Sequence, residues 1–112
     1  MILDTGICAV YRVDPVPGGG LKRGLTLKFE TWYGALRFEN TPRTEAGQVI
    51  IETAGRIRIP QNRAVSAQDI VKMDGVRYGI ARVYHGADDD GGALISDITL
   101  ENLAVDDDFT EL

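Results

Sequence analysis

Apolar residues along this chain recur mostly at every second position, the period of a half-buried strand. Ile7, Ala9, Tyr11 and Val13 alternate with Cys8, Val10 and Arg12, which predicts a first strand apolar on nearly both faces. Pro15, Pro17 and Gly18-Gly19-Gly20 then stop it and open a loose connection. Leu25, Leu27 and Phe29 alternate with Thr26, Lys28 and Glu30 in a second strand. Beyond Gly34 the apolar positions move to even numbers, at Leu36 and Phe38. A slip of one residue signals a β-bulge, and Gly34 is where the sequence suggests it. Thr41 to Gly47 is polar and turn-rich and reads as a mobile loop, after which Gln48–Ile59 resumes a strand that Pro60 ends.

Ser66-Ala67-Gln68-Asp69 fits either a capped short helix or the lead into a short strand. Asp74-Gly75 suits a two-residue hairpin turn, since both residues accept positive φ cheaply. It joins Ile70, Val71 and Met73 to Val76, Tyr78 and Ile80, while Val83 falls out of step and calls for a second bulge near Ala81-Arg82. Ala87–Ala93 is an acidic, glycine-rich hairpin loop, and Leu94–Leu103 is the closing strand. Five or six such strands predict an all-β fold, a small antiparallel β-barrel with long loops. The expected organisation is one barrel domain over residues 1–105 and a loose acidic tail over 106–112. Trp32 and Tyr33, just ahead of the first bend, read as core, with an exposed docking anchor as the alternative.

Composition agrees: 112 residues with 44% apolar and 26% charged content suffice for one modest core. No apolar run approaches the roughly 20 residues of a spanning helix, and the start of the chain lacks a secretory pattern, so no membrane role is expected. The single cysteine, Cys8, is expected to pack as a small hydrophobe in a reducing cytosol. Charge is distributed unevenly. Residues 1–87 hold 12 basic and 8 acidic side chains, a balance of +4, whereas residues 88–112 hold 9 acidic and none basic. Such an end is either a solubilising loop and tail or an electrostatic guide toward a basic neighbour.

Catalytic candidates fail in turn. His85 is the sole histidine, which removes two-histidine metal sites and leaves a residue expected to be solvated. Gly18–Gly24 lacks the Ser/Thr and helix of a phosphate loop. The triplets Asp88–Asp90 and Asp106–Asp108 lack calcium-loop spacing and read as solvated acids. The sequence therefore predicts no enzyme, no cofactor and no metal. Arg56, Arg58, Arg63, Arg77 and Arg82 with Trp32, Tyr33 and Phe38 allow a second reading, an OB-like module for single-stranded nucleic acid. An overall charge of −5 argues against it, because backbone binding needs a dense positive stripe.

Three stretches carry a resemblance. They are Glu30-Thr31-Trp32-Tyr33-Gly34-Ala35-Leu36, Gly55-Arg56-Ile57-Arg58-Ile59, and Asp69–Val83 with its D-G-x-x-Y-x-I-x-x-V run, closed by Leu94–Leu100. In order and spacing the chain resembles the head-tail joining (head-closure) proteins of long-tailed bacteriophages. The resemblance implies a structural virion protein of a phage or prophage, a small β-barrel that forms a ring at the head-tail connector, closes the DNA-filled head and joins the tail. The implied partners are portal, adaptor and tail proteins and further copies of the chain, with DNA only as the contents of the channel. The implied location is the virion, and the host cytoplasm during assembly; tail-completion and tail-terminator proteins are similar in size. Such a ring needs two different patches per copy, which the basic body and acidic end could supply. The expected contact residues are Lys22, Arg23, Arg43 and Glu45 in the long loops, and Asp106, Asp107 and Asp108 in the tail.

Overall fold

A computed structural model describes residues 3–16, 23–89, 91–103 and 109–111, with side chains described for all of these except 37–41, 43, 45 and 50–54. The described chain is all strand and turn. Strands run β1 (Gly6–Pro15), β2 (Arg23–Glu45), β3 (Gln48–Pro60), β4 (Ile70–Met73), β5 (Val76–Ala87), β6 (Leu94–Asn102) and β7 (Phe109–Glu111). Their order is β1-β4-β5-β6-β3-β2, and a β1–β2 pairing closes the ring. Every ring contact is antiparallel. The ambiguous stretch before Ile70 resolves as turns leading into a strand, and Asp74 (φ 52°) with Gly75 (φ 78°) forms the expected tight turn.

Closure runs through a corner in one long strand. Up to Tyr33, β2 pairs with β1; from Gly34 onward it pairs with β3. The start of β2 thus keeps one side open, and there β7 adds in parallel, Arg23–Leu25 against Phe109–Glu111. This corrects the expectation of a loose end: within the segment 106–112, residues 109–111 form a strand. Asp106, Asp107 and Asp108 lie outside the described residues.

Three register shifts set which side chains face inward. One falls at Ala81 in β5, as the sequence implies. Another falls at Leu36, two residues past the glycine the parity switch pointed to. The third, at Lys28 in β2, leaves no glycine or apolar mark in the sequence. It splits the run Leu25-Leu27-Phe29, because an extra residue turns the following side chains to the other face. Phe29 therefore packs inside the ring and Leu25 outside it. Tyr33 joins Phe29 in the core, at 4% exposure, while Trp32 faces outward at 56%, which overturns the reading of Trp32 as core.

The interior is filled by Cys8, Val10, Tyr33, Ile57, Ile59, Val71, Met73, Ile80, Ile98 and Leu100, with Val65 from the turn before β4. Burial raises the Cys8 thiol to about 11, so at neutral pH it packs as a protonated apolar group. A smaller cluster of Tyr11, Leu25 and Ile70 lies on the other side of β1 and β4, covered by Val13, Leu103 and Phe109. This explains why β1 is apolar on both faces.

The segment read as a mobile loop, Thr41 to Gly47, is strand up to Glu45, paired as Thr41↔Glu52 and Thr44↔Val49. Ala46 (φ 51°) and Gly47 (φ 78°) make its turn. Beyond Leu36 and Gly55, β2 and β3 pair only with each other among the described residues, so they form a two-stranded arm. At the usual rise it is roughly 30 Å long. It accounts for a 46 Å longest dimension and a radius of gyration of 15.2 Å, against about 13 Å for a compact chain of this size.

Candidate functional site

Within the ring, one polar cluster could be mistaken for chemistry. His85 and Ser96 are cross-strand partners on β5 and β6, and His85 Nδ1 lies 2.6 Å from Ser96 Oγ. Ser96 also accepts a hydrogen bond from the Asn62 backbone N–H at 3.1 Å. Ser96 is fully buried, so no substrate carbonyl can reach its oxygen. The pair ties the turn after β3 to the end of the ring, and His85 is half-buried and hydrogen-bonded rather than simply solvated.

The bulge residue Lys28 has a comparable structural task. Its Nζ reaches Asp69 Oδ2 and the Ala64 carbonyl, both at 2.8 Å, and Asp69 also accepts from the Ser66 backbone N–H. Asp69 is 4% exposed, so the ammonium compensates a carboxylate withdrawn from water. This ion pair walls one side of an open groove of about 760 Å³, whose rim carries Arg12, Asp14, Arg23, Glu101 and Phe109. Asp14 is held below the usual carboxylate range by hydrogen bonds from Arg12 and Thr26. Its lining carries three basic side chains, Arg12, Arg23 and Lys28, and three acidic ones, Asp14, Asp69 and Glu101, among apolar residues such as Ile70, Ile80 and Leu103.

Of the five described acids of the C-terminal third, three are paired with basic side chains of the body. Asp97 accepts two hydrogen bonds from Arg58, at 2.8 and 3.0 Å, and Asp88 lies 3.4 Å from the same guanidinium. Glu111 bonds Lys72 at 3.2 Å, Arg77 at 3.1 Å and the Tyr11 hydroxyl. The Tyr11, Lys72 and Arg77 donors together lower its carboxyl to about 2. Arg23 stacks over the Phe109 ring at 6.0 Å. A basic body facing an acidic end as two separate patches is therefore not the arrangement found for these residues.

Of the expected contacts, Arg23 is exposed on the groove rim, beside β7. Arg43 and Glu45 lie on the arm, opposite Ile50 and Gln48. Lys22 lies outside the described residues. The five arginines considered for nucleic acid do not form one stripe. Arg58 is tied to Asp97 and Asp88, Arg77 to Glu111, and Arg63 sits on an exposed turn. Arg56 and Arg82 share an outer face, on either side of Thr99.

Two outer surfaces gather residues the sequence singled out only separately, Trp32 as a possible docking anchor and Arg56 and Arg82 as possible nucleic-acid contacts. On β1 and β2, Ile7 (53% exposed) and Trp32 (56%) are cross-strand neighbours, next to Ala9 opposite Glu30. On β5, β6 and β3, Tyr84 (60% exposed) borders a hollow of about 300 Å³ with Arg56, Arg82 and Thr99. The Tyr84 ring lies across Gly86, where a Cβ would come within 2.6 Å of it. The signal for both surfaces was strand parity, which could be read only once the bulges were placed.

No protein-family pattern and no curated protein matches the sequence. Among solved structures, the fold is similar to a chain from the virion of a native gene transfer agent (GTA) particle. That match has a TM-score of 0.58 at 12% identity and covers 88% of this chain and 94% of the other.

Proposed function

We propose that this chain is a structural protein of a tailed phage-like virion, assembling as a ring at the head-tail connector. The observation that carries the reading is the fold likeness to the GTA virion chain, over 94% of that chain's length. The order of the tryptophan-bearing strand, the Gly55–Ile59 strand and the Asp74-Gly75 hairpin adds to it. In this role the ring body is a rigid unit, while the two-stranded arm and the groove by β7 are its contact devices. An isolated two-stranded ribbon is marginally stable in water, so an arm of this length gains by being covered. Its partners are portal or adaptor proteins on one side and tail proteins on the other, with DNA only in the channel. The task is mechanical closure and joining, and it requires no catalytic group or cofactor.

Deletion of the gene in its phage or induced prophage, followed by electron microscopy, tests this. Separate DNA-filled heads and tails of normal length are the expected result. Tails of uncontrolled length would make the protein a tail terminator, and infectious particles would overturn a virion role.

A further inference from the structure

Going around the ring, β5 and β6 stand opposite β1 and β2. The two exposed aromatic surfaces therefore point in opposite directions. They also differ in chemistry. The first presents Trp32 and Ile7 beside the exposed acids Glu30 and Asp74, with Lys72 there already paired to Glu111. The second presents Tyr84 beside the exposed Arg56 and Arg82, around a hollow also lined by Asp97, whose carboxylate is held by Arg58. None of Glu30, Asp74, Arg56 and Arg82 forms a salt bridge with another described residue, whereas the neighbouring Arg58 is already saturated by Asp97 and Asp88.

We propose that the Trp32 face of one copy docks on the Arg56–Arg82–Tyr84 face of a second copy, in a head-to-tail contact. The proposal rests on the ring reading for its biological setting, and on charge and shape complementarity for its geometry. An indole seated in the hollow would meet the Arg56 and Arg82 guanidinium groups and the Tyr84 phenol, the side chain types that dominate interface energetics, while the Asp97 carboxylate there stays engaged by Arg58. Glu30 and Asp74 at its rim would face the same two arginines and fix orientation. Since the two faces are different, a copy that uses one still offers the other. The contact is heterologous and propagates until rotation closes it, so it builds a ring rather than a two-fold dimer.

Trp32 is the only tryptophan, so its emission reports the contact directly. The purified full-length chain is followed by sedimentation and by tryptophan emission as its concentration rises. Association accompanied by a blue shift is expected. Glu30→Arg and Arg82→Glu should each raise the concentration for half-association roughly tenfold or more. An equimolar mixture of the two variants should restore association, because the reversed face of each then matches the other; this restoration also shows that both are folded. Wild-type chains that stay monomeric with unshifted emission, single reversals that associate like wild type, or a mixture that fails to recover would each overturn the proposal. Infectious particles from the gene deletion would sink the virion reading but leave a contact measured this way intact. Particle assembly unaffected by either single reversal, alongside a defective deletion, would instead sink the contact and spare the reading.

Discussion

The interior of the ring and the cluster beneath β7 use the same strand, β1, in opposite ways. Cys8 and Val10 point inward to a core drawn from β1 to β6, where Ile57, Ile59 and Ile98 are completely buried. Tyr11 points outward to a small cluster closed by a strand of three residues, and that strand is anchored by one carboxylate. The first region is stabilised by apolar burial, which offers no ion pairs for salt to screen or acid to neutralise. The second combines a few apolar contacts with half-exposed ion pairs, which solvent and salt weaken. Global stability therefore resides in the interior, while the edge of β2 can open locally without unfolding the ring.

The largest effect should come from Ile98→Ala, which leaves a cavity between Ile57 and Val83, its partners on β3 and β5. A loss of about 2–5 kcal/mol is expected, seen in urea as a shift of the single global transition. If hydrogen exchange accelerated only near β6, the interior would not be one cooperative unit.

Phe109→Ala should cost less, about 1–2 kcal/mol, since the ring is only partly buried over Tyr11, Leu25 and Ile70. The backbone amides of Gly24 and Leu25 should lose exchange protection, while those of Ile57 and Ile98 keep theirs. Equal losses in both regions would mean that β7 is integral to the main core.

The smallest effect belongs to Glu111. Its carboxyl is lowered to about 2 from an ordinary 4.5, so protons bind the unfolded chain more readily than the folded one. The stabilisation is thus fully present above about 4.5 and is lost as pH falls toward 2. Because the side chain is 37% exposed, the solvent-screened contribution is about 1 kcal/mol or less. Glu111→Gln should remove the acid-side part of the exchange protection at Arg23–Leu25, and high salt should mimic it. An unchanged pH profile in the variant would assign the latch to Phe109 alone.

How far the sequence could be read depended on whether a feature was local. Alternation located six strands, proline marked the ends of β1 and β3, and Asp74-Gly75 marked a turn, because each acts through its own φ/ψ preferences. Parity also placed the bulge at Ala81 and signalled the one at Leu36, which it put two residues early at Gly34, since both fall inside apolar runs that change step. The arm was missed because Thr41 to Gly47 is polar and contains Pro42. That composition reads as loop, yet proline is tolerated in a ribbon whose outer edges carry no further strand.

The sequence by itself therefore determined the class of fold, the turns and the burial of Cys8, all of which follow from local pattern and hydrophobicity. Only the tertiary structure decided which way Trp32 points, where Asp88, Asp97 and Glu111 go, and that residues 109–111 complete the edge of β2. Facing is set by an unmarked bulge at Lys28, whose extra residue is held by Asp69, 41 positions away. Charge placement likewise depends on pairings such as Arg58 with Asp97, 39 positions apart, and no local pattern contains them.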